Sequence, residues 1–121
     1  MVELKLTPYL QEKLQQAQRL QAELESIVAQ RYQLEINLKE VEKSLEELEK
    51  VDENTPIYKS VGSILVKAKS KEEVKKELED KKETLEIRIK AIKRQQELLQ
   101  KKYEEIQREF ASAYGGGSVS G

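Results

Sequence analysis

The sequence predicts a mainly α fold: a long antiparallel two-helix coiled coil, its helices joined by a single β-hairpin that oligomerises into a β-barrel body. Three observations predict it. Charged residues make up 37% of the 121-residue chain, apolar residues another 37% and aromatics only 5%. That mixture, dominated by Glu, Lys, Leu and Gln, is typical of coiled coils. Apolar residues recur at alternating steps of three and four through two long stretches, the seam that a pair of packed helices needs. Between the stretches lies "PIYKSVGSILVKA", residues 56–68, which is rich in β-formers and does not look like a helix.

Each element follows from local signals. Residues 1–7 read as a flexible N-terminal tip and 8–51 as the first helix. Thr7 can cap the first free N–H groups, and Pro8 suits the first helical position. The seam runs Leu10, Ala17, Leu20, Leu24, Ile27, Leu34, Leu38, Val41, Leu45 and Leu48, with Lys13 and Arg31 filling its gaps. "DENTP" supplies turn formers, and Pro56 forbids continuation. Residues 52–69 form the hairpin segment. Gly62-Ser63, with Gly first, suits a two-residue type II′ turn. Pairing Val61 with Ile64 then sets Lys59 opposite Val66 and Ile57 opposite Ala68. Ile57, Val61, Ile64, Val66 and Ala68 share one nearly apolar face; Tyr58, Ser60, Leu65 and Lys67 occupy the other.

The second helix is expected over 70–113, opened by Ser70 as cap and Glu73 three residues later, a capping box. Its seam reads Leu78, Lys82, Leu85, Ile89, Ile92, Gln96, Leu99, Tyr103, Ile106, Phe110 and Ala113. Each helix of roughly 43 residues would be about 65 Å long at 1.5 Å per residue. Residues 114–121, ending "GGGSVSG", read as a flexible Gly/Ser tail. Folded back antiparallel, the seams match in one register: Leu48 meets Leu78, Val41 meets Leu85, Ile27 meets Leu99, and Ala17 meets Phe110. Arg31 falls opposite Gln96, a polar layer that can fix register at some cost in stability. The plainer reading of Arg31 is a stem that carries its guanidinium out to water.

Composition excludes most chemistry. Lys plus Arg number 22 and Asp plus Glu 23, for a net charge of −1. So balanced a chain lacks the concentrated positive field that nucleic acid or an anionic membrane requires. There is no His and no Cys, which removes the commonest acid–base group, nucleophile and metal ligand. The many carboxylates, as in "KSLEELEK" at 43–50, read as solvated helix faces with i,i+4 pairs. No catalytic residue, metal site or cofactor is expected, and no enzyme. No apolar run is long enough for a signal peptide or membrane span, so the chain reads as soluble and cytoplasmic.

The hairpin is the informative element. A lone two-stranded hairpin is marginal in water and leaves two unpaired edges. The helices are expected to lead away from its base and leave its apolar face uncovered, so burial requires other chains. Hairpins from several subunits closing into a barrel remove the edges and fill the interior at about eight strands. Ile57, Tyr58, Val61, Gly62, Ile64, Leu65 and Val66 are the candidate assembly residues.

A long amphipathic helix, then "IYKSVGSILVK", then a second helix containing "KKETLEIRIKAIKRQQELLQKKYEEIQ" resembles the β class of prefoldin, and an archaeal version of it. The "YKSVG-ILV" hairpin followed by "ETLEIR-AI-RQ" is the most specific part, and the resemblance covers roughly residues 5–112. A single hairpin places the chain with the β class, since α-class subunits are expected to carry two. The resemblance implies a subunit of an ATP-independent chaperone, a heterohexamer of two α and four β subunits. Its coil tips would hold unfolded proteins and pass them to a group II chaperonin. Candidate client-binding residues are the apolar ones near the paired chain ends: Leu4, Leu6, Tyr9, Leu10, Leu14, Phe110, Ala111 and Tyr114, with Val2 beside them. Leu10, Leu14 and Phe110 can also simply finish the coil. Exposed apolar side chains suit loose capture of an unfolded chain.

Two rivals share parts of this pattern. A scaffolding coiled coil would have the seams but no need of the hairpin. A nucleic-acid-clamping arm would need a basic stripe, whereas the densest lysine run, "KAKSKEEVKK" at 67–76, is interleaved with Glu.

Overall fold

A computed structural model describes residues 7–115, in the order α1 (Pro8–Glu49), β1 (Tyr58–Val61), β2 (Ile64–Lys67), α2 (Lys71–Gly115). Two long helices joined by a two-stranded antiparallel hairpin therefore make up the described residues. Val2, Leu4, Leu6 and most of the Gly/Ser tail lie outside the described residues, as does the side chain of Tyr114.

α1 starts where its capping signals place it: Thr7 Oγ1 accepts the Leu10 N–H at 3.1 Å, and the Thr7 carbonyl accepts the Gln11 N–H at 2.9 Å. It closes at Glu49, two residues before the expected 51. Its last turn tightens there, with Lys50 and Val51 N–H donating to the Glu47 and Leu48 carbonyls at 3.2 and 3.1 Å. Asp52 then organises the exit: its side chain accepts the Asn54 N–H at 2.8 Å and its carbonyl the Thr55 N–H at 2.9 Å. At the start of α2 the Ser70 hydroxyl accepts the Glu73 N–H at 3.1 Å. The Glu73 carboxylate completes the box one residue further out than expected, accepting the Lys69 N–H at 2.9 Å.

The chain divides into two compact units, residues 31–91 and residues 1–30 with 92–121. In the unit of residues 31–91, Val41, Leu48, Leu85 and Ile89 of the two seams are buried. Glu49 pairs with Lys75 at 3.1 Å and Glu42 with Lys82 at 3.7 Å. Stepping back from Glu49 to Glu42 on α1 advances from Lys75 to Lys82 on α2, so the segments run antiparallel with heptad registry. In the other unit, Leu10, Ile27, Leu99 and Ile106 are buried, again all seam positions. There Lys13 pairs with Glu109 at 2.8 Å.

The three cations in the seams each reach a carboxylate. Lys13 takes Glu109, Lys82 takes Glu42, and Arg31 Nε donates to Glu35 Oε1 at 2.7 Å one turn along its own helix. Long stems cover apolar neighbours while the charged heads find partners.

Candidate functional site

Two regions carry candidate functional residues, and each lies within one unit. In the first, strand register is Tyr58↔Lys67, Lys59↔Val66, Ser60↔Leu65 and Val61↔Ile64, as alternation and the Gly-Ser turn predict. Gly62 has φ of 60° and no other described residue has positive φ. One positive centre followed by a negative one is the type II′ pattern, whose twist matches that of the strands. The Ala68 N–H donates to the Ile57 carbonyl at 2.8 Å, extending the ladder by one pair.

The hairpin exposes apolar side chains on both faces. On one, Val61, Ile64 and Val66 are exposed, Ile64 at 60%; on the other, Tyr58 and Leu65 are exposed, Leu65 at 73%. Five large apolar side chains on eight strand residues exceed what a solvated sheet face normally carries.

The helices cover part of this hairpin, contrary to expectation. Ala68 is buried and Ile57 half-buried, because they are the strand-end pair nearest to where α1 ends and α2 begins. Lys59 is held as well. Its Nζ donates to Glu77 Oε1 at 2.9 Å and Glu73 Oε1 at 3.1 Å. Those bonds, Glu77 first, raise its pKa above the ordinary lysine value. Glu73 is pushed below the ordinary carboxylate value by Lys59 first, then by the Lys69 N–H. Beside them, Lys71 Nζ donates to the Val51 carbonyl at 2.9 Å, tying α2's first residue to the chain leaving α1. Glu49 is lowered and Lys75 raised by their mutual hydrogen bond. A groove of about 810 Å³ runs under β1, with Leu48, Val51, Ile57, Val74 and Leu78 in its lining.

Sequence reading missed Glu73 and Glu77 as partners of Lys59. The signal was present: alternation puts Lys59 on the apolar face, and residues 73 and 77 are one helical turn apart.

The second region holds the helix ends. Leu10 is buried at 6% exposure, so it completes the coil and does not belong to an open surface. Tyr9, Leu14 and Ala111 are exposed and Phe110 is half-buried. Leu14, Ala17, Ile106, Phe110 and Ala111 line an almost wholly apolar cleft of about 380 Å³. A separate groove of about 350 Å³ is charged, with Lys13, Arg19, Glu23, Lys102 and Glu109 in its lining. Lys13 stands 5.5 Å over the Tyr9 ring, and its bond to Glu109 raises its pKa.

Among the described residues no group of His, Cys, Asp or Glu is placed to hold a metal ion. Nor is any helix long and apolar enough to cross a membrane.

Comparison with known proteins gives one consistent answer. The family described as "Prefoldin subunit" matches residues 11–116. A prefoldin subunit beta of Thermoplasma volcanium is 45% identical over 121 residues, covering 100% of this chain and 98% of that protein. One from Archaeoglobus fulgidus is 50% identical over 105 residues, covering 87% and 90%. The crystal structure of the prefoldin beta subunit from Thermococcus strain KS-1 superposes with a TM-score of 0.83 at 33% identity, covering 92% of this chain and 96% of that one.

Proposed function

The chain belongs to the prefoldin family, among its β-class subunits, and from that premise we propose that it is an ATP-independent holdase subunit assembled through its hairpin. The reading is carried by one observation: a two-stranded sheet that exposes Tyr58, Val61, Ile64, Leu65 and Val66 together. Such a sheet gains stability by pairing its edges and burying its faces against other subunits. The proposed assembly has two α-class and four β-class subunits, whose hairpins close into barrels.

Capture of unfolded proteins is proposed at the helix ends. Tyr9, Leu14, Ala111 and the apolar cleft beside Phe110 offer shallow apolar contacts with no fixed sequence demand. Leu4, Leu6 and Tyr114 are proposed to add to them. Each contact contributes little, so useful affinity requires several subunits to hold one client at once. Delivery to a group II chaperonin in the cytoplasm completes the proposal, with no catalytic step and no cofactor.

Deleting residues 1–9 and 111–121 tests the site. The truncated subunit should still enter a full-sized complex with an α-class partner, while suppression of aggregation of a denatured protein falls sharply. Equal suppression by the truncated complex would move the client site to the coil's inner face.

A further inference from the structure

Lys59 is the one charged residue on the hairpin face that carries Ile57, Val61, Ile64, Val66 and Ala68, and it directly opposes Val66. A face destined for burial is an expensive place for an ammonium, since an unpaired buried charge costs far more than a paired one. The structure gives this ammonium two carboxylates before any other subunit arrives. Glu77 and Glu73 of α2 lie at 2.9 and 3.1 Å, and the Lys59 side chain is already reduced to 29% exposure. The second negative charge is compensated too: the other oxygen of Glu73 accepts the Lys69 N–H at 2.9 Å, at the positive end of α2.

We propose that Glu73 and Glu77 are positioning residues for assembly: they neutralise Lys59 within its own subunit, so the hairpin face can be buried without stranding a cation. Assembly is then controlled partly by the first turns of α2, outside the hairpin itself. The proposal rests on the hairpin being the assembly element.

The arrangement makes an asymmetric prediction. Removing the carboxylates strands the lysine at the interface. Removing the lysine leaves Glu73 in the first turn of α2, where a negative charge is tolerated, and Glu77 one turn further on with its side chain 53% exposed to water. Glu73→Gln with Glu77→Gln keeps a residue able to cap the helix. It should weaken complex formation with an α-class prefoldin subunit by about tenfold or more, read as the apparent Kd by sedimentation. Lys59→Met keeps the apolar stem and should bind within about threefold of the unaltered chain. Adding Lys59→Met to the double variant should restore its binding, a rescue that loss of a merely structural contact would not give. Far-UV circular dichroism checks that all three variants keep their helices. Full-strength assembly of the double variant would overturn the proposal, and so would failure of Lys59→Met to rescue it. Ile64→Asp serves as the control on the underlying reading. If Ile64→Asp assembles normally, the hairpin reading falls and takes this proposal with it. If Ile64→Asp blocks assembly while the double variant assembles fully, only the role of Glu73 and Glu77 is lost.

Discussion

Gly62 turns the hairpin with φ of 60° in open space, with nothing within 4 Å of where a Cβ would stand. Substituting alanine therefore meets no clash but forces an L-residue into a left-handed backbone, at about 1–2 kcal/mol. Gly62→Ala should weaken assembly and leave helix content unchanged; unaltered assembly would mean the turn tolerates another geometry. A pH prediction comes from the ion pairs. Glu73 and Glu49 titrate below an ordinary carboxylate when folded, so their contribution is present above the unfolded pKa and lost as pH falls through the folded one. Lys59, Lys75 and Lys13 titrate above an ordinary lysine. Their contribution is fully present below the unfolded pKa and lost as pH rises through the folded value. With no His or Cys in the chain, Tm should be flat between about pH 6 and 9 and fall on either side. A steep change in Tm across neutrality would contradict these assignments. Thr7, Ser70 and Gly62 were legible in the sequence because caps and turns are local chemistry. The Lys59 cluster was legible only in its parts, a lysine on the apolar face and two glutamates a turn apart; that they meet follows from a reversal of the chain that only the fold defines.

The helices are held by their seams, and stability should track them. Leu85 is buried and Ile87, two residues away, is 60% exposed. Leu85→Ala should cost about 2–5 kcal/mol, and Ile87→Ala should stay within about 0.5 kcal/mol; thermal denaturation of the two variants separates these outcomes. Similar losses at both sites would mean the seam is misassigned. Periodicity placed the two helices and the hairpin because steps of three and four and an alternating strand are unambiguous over such lengths. It left Leu10 with two readings, seam or open tip, since a position at the end of a seam looks the same whether it packs or stays open. It also missed that α2 covers the base of the hairpin. The register role proposed for Arg31 and Gln96 is tested by changing both to leucine: helix alignment should lose uniqueness. A more stable protein with unchanged alignment would remove the register role. For the hairpin, Val66→Asp should abolish assembly while helicity survives, because burying an unpaired carboxylate costs several kcal/mol or forces protonation.

At the scale of the whole molecule, the proposed function divides the labour among these elements: seams for stability, the hairpin for joining subunits, and the helix ends for taking clients. Holding a client with several weak contacts works only if several subunits present their ends together. Assembly is therefore the claim on which the others depend. The most direct test is the mass, by analytical ultracentrifugation, of the species formed when this full-length chain is mixed with an α-class prefoldin subunit. The account predicts a single species of two α and four β subunits, lost when Val66 is replaced by aspartate. Separate sedimentation of the two proteins, or a full-sized complex formed by the aspartate variant, would contradict it.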